Sequence, residues 1–224
     1  TVIHRNGGSV ESGLSNKRLI ESADEGGLIS LYWIARIEDM NIRRDRDLVD
    51  WLSNQDYWFT TWGEWVTHQI SSLSITVETN SNSTTFTNPN LDIWNTPGTV
   101  MVDNVDQYFG LEWSGVQYDP LEKEDRILRA GHREESSGLL YLTIPPGESV
   151  TIYNAKPLTI SHEPSIFNGL KNGLTIAGHH TTNMREWSQD FRDSPLRFTW
   201  LIERSQVPSP TLVLPLLSIS ILIA

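Results

Sequence analysis

Six histidines are the side chains of this sequence best suited to bind a metal ion or to move a proton, and the chain has no cysteine. The lack of cysteine excludes disulfides, thiolate metal sites and cysteine nucleophiles. His179 and His180 are adjacent in a predicted polar loop, and neighbouring residues on extended chain point to opposite faces, so the pair is poorly placed to hold one ion. His162 has no partner at metal-ligand spacing. A jelly-roll enzyme that uses His162, or His179 and His180, is therefore a minor hypothesis, and no cofactor is predicted.

Paired carboxylates could perform the acid–base chemistry of a glycosidase, with Asp103 and Asp106 or Glu134 and Glu135 as candidates. From Asp47 to Glu122, however, the sequence has 11 acidic residues and no Lys or Arg, so such pairs arise from composition alone. This stretch cannot wrap a nucleic-acid backbone, and it predicts a solvated acidic face. A repulsive or cation-binding face is the alternative. Because GxSxG, HExxH and phosphate-binding glycine motifs are also lacking, we predict that the protein is not an enzyme.

The densest feature of the sequence is an aromatic cluster, in which six aromatic residues lie between Trp51 and Trp65. Exposed indole rings could stack on sugars or lie at the headgroup level of a membrane. The simpler interpretation is packing in a core or in a subunit interface. We predict Trp58, Trp62 and Trp65 as interface residues.

Basic residues near the N-terminal end are the candidates for contact with a polyanion. The predicted nucleic-acid contacts are Lys17, Arg18, Arg43, Arg44 and Arg46. The last three are interrupted by acidic side chains, so a solvated or pairing face is the alternative interpretation.

The elements that must position these residues are mostly short strands. The apolar run Leu28–Ile37 predicts a buried strand, and the alternation of Leu73, Ile75 and Val77 with polar residues predicts a half-buried one. Asn80–Asn90 is predicted to be a polar loop. Further strands are predicted at Gly98–Val105, Gly138–Ile144, Ser149–Ala155, Leu158–Ser161, Leu174–Ala177 and Leu196–Glu203.

Helical signals are few. Asp47–Leu52 could form one turn, and short helices are predicted near Leu121–Leu128 and Thr182–Phe191. Pro145–Glu148 predicts a tight turn between two strands, with Gly147 supplying a permissive backbone. About eight strands with regular turn signals predict an all-β, antiparallel, eight-stranded β-sandwich.

The sequence is predicted to form one domain at residues 28–206 with two arms. Residues 1–27 are polar and contain breakers, which favours an N-terminal arm. Residues 207–224 include Thr211–Ala224, an uncharged apolar segment too short for a membrane-spanning helix. A lipid-anchor signal is one interpretation of this segment, but an ordered arm that packs on a neighbouring copy is the better one. Its predicted interface residues are Leu212, Leu214, Leu216, Ile219 and Ile221.

Three stretches resemble parts of a known family. They are WVTHQISSLSITVETNSN (Trp65–Asn82), GTVMVDNVDQY (Gly98–Tyr108) and SPLRFTWLIERSQ (Ser194–Gln206). Together with the strand order, they resemble the single jelly-roll capsid proteins of small icosahedral viruses, especially the circovirus-like ssDNA group. The resemblance implies eight strands in two four-stranded sheets, with loops such as Asn80–Asn95 facing outward.

The resemblance also implies a function. The chain would be a structural subunit of a virion, with copies of itself, the viral nucleic acid and a host surface receptor as partners. Such proteins usually carry a basic arm, whereas Thr1–Gly27 has only Arg5, Lys17 and Arg18, so either such an arm precedes Thr1 or contact with the genome is weak. The alternative hypothesis is a secreted β-sandwich that binds carbohydrate or a membrane through Trp51–Trp65.

Overall fold

The computed structural model describes residues 4–9, 27–35, 46–90, 94–105, 108–180 and 197–201. The described residues contain two helices, α1 (Arg46–Ser53) and α2 (Trp62–Ser74). The strands are β1 (His4–Ser9), β2 (Gly27–Ala35), β3 (Trp58–Phe59), β4 (Thr76–Thr79), β5 (Ser83–Thr87), β6 (Gly98–Asp103), β7 (Tyr108–Trp113), β8 (Gly131–Glu134), β9 (Leu140–Ile144), β10 (Ser149–Asn154), β11 (Thr159–Ser161), β12 (Asn172–His180) and β13 (Phe198–Leu201).

Eight consecutive strands, β4 to β11, form two four-stranded antiparallel sheets. The β5 sheet has the order β4-β5-β10-β7, and the β6 sheet has the order β11-β6-β9-β8. Both sheets contribute to a single apolar cluster, which includes Phe86 and Ile152 from the first and Val100 and Leu142 from the second. Period-two alternation explains this packing. In β10, Val150 and Ile152 are buried, whereas Thr151 between them is partly exposed. The predicted all-β character is confirmed.

A third sheet differs from the predicted antiparallel fold, because all its pairings are parallel. Its order is β1-β2-β12-β13, and β3 also pairs with β12. β2 and β12 match over nine residue pairs, from Asn172 opposite Gly27 to His180 opposite Ala35. The continuous apolar run of β2 is typical of a strand buried on both faces, as strands of parallel sheets are. His179 and His180 thus end a strand, and their predicted loop position is wrong.

Helix α2 is the main element that sequence patterning missed. Thr61 caps it by accepting a hydrogen bond from the Glu64 backbone, and the Glu64 side chain accepts one from the Thr61 backbone. This capping box fixes the start of the helix, and the helix continues through Ser74. Leu73 therefore lies in a helix with 62% exposure instead of in a half-buried strand. The predicted strand begins only at β4.

The structure confirms some of the other predicted elements and corrects others. The turn at Pro145–Glu148 is confirmed, with Gly147 at φ +79° and the Glu148 backbone donating to the Pro145 carbonyl. Asn80–Asn90 contains β5, so its assignment as a loop is wrong. Leu121–Leu128 consists of turns and a bridge without a helix. Thr182–Phe191 lies outside the described residues. Strands β1, β7 and β8 were not predicted.

Gly98 marks the closest approach of α2 to the β6 sheet. A Cβ atom at Gly98 would lie 2.5 Å from the Ser71 carbonyl carbon and 2.5 Å from the Ser72 nitrogen, both backbone atoms. Gly98→Ala is therefore expected to lower the free energy of unfolding by about 2–3 kcal/mol, because backbone cannot move aside locally. Gly63→Ala in α2 is the control, since nothing lies within 4 Å of its added Cβ. Urea denaturation measures both, and equal stabilities would contradict the close packing.

Candidate functional site

The predicted aromatic cluster lies mostly inside the chain. Trp58 and Trp65 are 0% and 1% exposed, and their rings stack with centroids 5.1 Å apart. With Leu28, Leu121 and Phe167 they form a second core cluster. In this conformation neither indole face is available to a sugar, a membrane or another subunit. Packing in a core, one of the two interpretations from sequence, is where the structure places them.

Trp62 is the member of the predicted interface set that stays partly exposed. Its Nε1 donates to the Ser30 hydroxyl at 3.1 Å, which ties the start of α2 to β2. Trp51 is also partly exposed, at the end of α1. These two are the aromatic side chains of the cluster that are partly exposed to solvent.

His68 is the most deeply buried titratable side chain of α2. Its Nδ1 lies 2.7 Å from the Pro97 carbonyl oxygen, and its Nε2 lies 3.0 Å from the Ile166 carbonyl oxygen. Burial lowers the pKa of His68, and the two carbonyl oxygens oppose this shift without cancelling it. The ring therefore connects α2 to two distant loops and has a structural role.

A cluster of aromatic and acidic side chains lies where β7, β8 and the Pro145–Glu148 turn meet. Trp113 and Tyr118 pack edge to face, with centroids 5.1 Å apart and planes at 63°. The Tyr118 hydroxyl donates to Glu148 Oε1 at 3.0 Å. His132 lies on the other side of Trp113, with ring centroids 6.5 Å apart. We call these four residues and the cavity beside them the Trp113 cleft.

The Trp113 cleft contains several buried polar atoms that have no hydrogen-bond partner. Four buried side-chain nitrogen or oxygen atoms in the described part of the chain have no hydrogen-bond partner, and three are Trp113 Nε1, His132 Nδ1 and Glu148 Oε2. The fourth is Trp65 Nε1. Buried polar groups are nearly always paired in folded proteins, so three orphans in one place need an explanation.

Burial favours the neutral forms of the imidazole and the phenol in the cleft. Burial lowers the pKa of His132, opposed by the negative charge of Glu134. Burial raises the pKa of the Tyr118 hydroxyl, and its contact with Glu148 adds to that rise. Near neutral pH the cleft thus combines a neutral imidazole, a neutral phenol and acidic side chains.

No local sequence pattern predicts this cleft, because its residues come from four separate parts of the chain. Trp113 ends β7, Tyr118 follows in a loop, His132 lies in β8, and Glu148 comes 16 positions after His132. No short motif spans such a set. The densest aromatic segment of the sequence, Trp51–Trp65, instead packs mostly in the core.

Most predicted contact residues lie outside the described residues. This holds for the basic residues Lys17, Arg18, Arg43 and Arg44 and for the tail residues Leu212, Leu214, Leu216, Ile219 and Ile221. Arg46 is the first residue of α1. These assignments stay predictions.

Arginines later in the chain are engaged in intramolecular contacts. Arg126 donates to the carbonyl oxygens of Ser53 and Gln55. Arg133 donates to Asn168 Oδ1 at 2.8 Å and pairs with Glu135 at 2.9 Å. These side chains stabilise the fold and form no basic patch.

The histidines and carboxylates considered for catalysis are not brought together. His162 Nδ1 lies 3.3 Å from the Ser72 carbonyl oxygen. Asp103 is exposed in β6, and Asp106 lies outside the described residues. Glu135 pairs with Arg133. Across the described ranges, no group of three or more His, Asp or Glu side chains is arranged to hold a metal ion.

Helix α2 has an exposed apolar face. Val66, Ile70 and Leu73 are 37%, 56% and 62% exposed, and their i, i+4, i+7 spacing puts them on one side of the helix. Trp94, which is 74% exposed, lies in the adjoining loop, where the Thr96 hydroxyl accepts a hydrogen bond from Thr67 of α2. We call Val66, Ile70 and Leu73 the apolar α2 face. Contiguous exposed apolar side chains mark interaction surfaces.

Neither helix of the described residues is long and apolar enough to cross a membrane. Comparisons of the chain with protein-family models, with curated proteins and with solved structures find no match.

Proposed function

We propose that this protein is a structural capsid subunit that self-assembles into an icosahedral shell around a viral genome. The observation that carries the proposal is the strand order of the two antiparallel sheets. Numbered from β4, the eight strands pair as second with seventh (β5 with β10) and third with sixth (β6 with β9). Such nested pairing arises when a long antiparallel hairpin is rolled into two sheets, as in the jelly rolls of viral capsids.

The next pairings extend this winding to one edge of each sheet. A jelly roll places its eighth strand beside the third and its seventh beside the fourth, and here β11 pairs with β6 and β10 with β7. The strand at the other edge of each sheet differs from that order, because β4 pairs with β5 and β8 pairs with β9. Six of the eight strands thus favour a jelly-roll core.

Self-assembly is supported by apolar surface that a lone subunit would leave in water. The apolar α2 face is one such surface, and the uncharged sequence of Thr211–Ala224 is another. Permanent assemblies bury large apolar interfaces and repeat them by symmetry. We place the apolar α2 face in a contact between copies of this chain.

Genome contact, in this proposal, belongs to the basic residues Lys17, Arg18, Arg43, Arg44 and Arg46. The stretch from Asp47 to Glu122 has no Lys or Arg and suits a surface turned away from the genome. The rival hypothesis of a sugar-binding or membrane-binding module based on Trp51–Trp65 is weakened by the burial of Trp58 and Trp65.

The mass of the native particle tests the proposal. Light scattering and negative-stain imaging of one sample are expected to give uniform, round particles in the megadalton range. A single species near the chain mass of 25.4 kDa, over the full range of protein concentration and ionic strength, would refute a shell-forming role.

A further inference from the structure

The Trp113 cleft has the dimensions of a ligand site. Its cavity has a volume of about 470 Å³, within the usual range for small-molecule pockets. The residues that line it include Glu112, Trp113, Gly115, Gln117, Tyr118 and His132. Two of its lining residues, Leu111 and Trp113, pack against the apolar core shared by the two sheets.

The aromatic groups of the cleft are held by polar contacts. Tyr118 is fixed both by the edge of Trp113 and by its hydrogen bond to Glu148. Glu148 in turn lies close to the backbone at Gly115, where an added Cβ would come within 2.8 Å of the carboxylate. Rings held in this way provide rigid apolar faces beside polar groups, as in sites that bind the faces of sugar rings.

The unpaired atoms indicate the chemistry of the ligand. Trp113 Nε1 belongs to an indole N–H, which only donates, and Glu148 Oε2 is a carboxyl oxygen, which can accept. A hydroxyl group can serve both, because it accepts from one and donates to the other. A quaternary ammonium ion would contact the aromatic rings but could accept no hydrogen bond from Trp113.

Charge narrows the ligand class further. Glu112 lines the cavity and Glu148 lies against two of its lining residues, Tyr118 and Gly115, whereas no Lys or Arg among the described residues lines it. An anionic sugar would be repelled by these carboxylates. We infer that the Trp113 cleft binds one neutral, hydroxyl-rich ring, the chemistry of an uncharged sugar residue in a glycan. This inference does not depend on assembly into a shell.

Ligand-observed NMR with neutral methyl glycosides (glucoside, galactoside, mannoside and N-acetylglucosaminide) tests the inference on the full chain. At least one glycoside is expected to show saturable binding. Glu148→Gln should weaken that binding at least about tenfold, because it removes a charged acceptor. Trp113→Phe, which keeps an aromatic ring but removes the N–H group, should also weaken it. Methyl glucuronide should bind more weakly than the parent glucoside.

Glu78→Gln is the matched control, because it makes the same change of charge at an exposed position in β4. It should leave binding unchanged. Saturation by none of the neutral glycosides would overturn the inference, and so would equal binding by the Glu148→Gln and Glu78→Gln variants. Tighter binding of choline than of every glycoside would also overturn it. Particle mass, measured on the same samples, separates any failure here from a failure of the capsid proposal.

Discussion

Replacing Ile70 and Leu73 together by glutamate is expected to abolish the particle and leave a folded chain of 25.4 kDa. Both side chains are more than half exposed in the isolated subunit. Substitutions at such positions usually change the free energy of unfolding by about 0.5 kcal/mol or less. In a buried contact between copies, the same carboxylates would be desolvated without a partner, at a cost of several kcal/mol. Symmetry repeats that cost at every copy of the contact.

Light scattering of the double variant measures the loss of assembly, and circular dichroism with urea denaturation measures the retained fold. Val116→Glu is the matched control, because Val116 is 73% exposed and lies outside α2. It also adds negative charge, so it reports any general repulsion between subunits of net charge −11. Particles that form normally in the double variant would exclude the apolar α2 face from the interface. Unfolding of the double variant would contradict its exposed position.

The parts of the fold that sequence patterning predicted are those in which local signals agree. β10 alternates apolar and polar residues between a Pro-Gly turn and a polar loop, so its boundaries followed from its own residues. In α2 two signals conflict. The alternation at Leu73, Ile75 and Val77 suggested a strand, whereas the capping box at Thr61 and Glu64 began a helix that reaches Ser74. The helix prevails because its other face packs His68 and Trp65 into the core.

The parallel sheet and the Trp113 cleft could not have been predicted from local patterns. β2 and β12 are separated by more than 130 positions, and no local residue preference indicates which distant strand will pair with β2. The cleft depends on the same kind of long-range information, since Trp113, Tyr118, His132 and Glu148 meet only after the β-strands have paired. Buried atoms without partners, which a sequence cannot reveal, are what identify it.

His68→Ala is expected to lower the free energy of unfolding by about 4 kcal/mol, which makes it the most destabilising single change considered. The imidazole is fully buried, and its nitrogens face the Pro97 and Ile166 carbonyl oxygens. Alanine would leave these oxygens without their ring partner and open a cavity below α2. His162→Ala is the control, because His162 is exposed and its hydrogen bond to the Ser72 carbonyl oxygen is long, at 3.3 Å. Its loss should cost less than about 1 kcal/mol.

Urea denaturation in the Ile70→Glu/Leu73→Glu background measures these differences on single subunits, since assembly would otherwise add to the apparent stability. A loss for His68→Ala as small as that for His162→Ala would show that the ring does not connect α2 to the two loops in solution.

The same burial makes the stability of the protein depend on pH. Burial lowers the pKa of His68 below the ordinary histidine value of 6.5, so the unfolded chain binds a proton that the folded chain resists. Stability is then fully present above pH 6.5 and falls as the pH drops below it. His132, whose pKa is also lowered by burial, acts in the same direction. The free energy of unfolding should therefore be smaller at about pH 5.5 than at about pH 7.5.

His68→Gln separates the contribution of His68 from that of His132. Glutamine can still donate to one of the two carbonyl oxygens but does not titrate, so this variant should lose stability at every pH and show a shallower dependence between about pH 7.5 and 5.5. His132→Gln should reduce the dependence less, because His132 is only partly buried whereas His68 has no exposed surface. If the wild type and His68→Gln lost equal stability on acidification, the imidazole of His68 would have to be as easily protonated in the folded chain as in water. That result would be incompatible with a ring enclosed between α2 and the two loops.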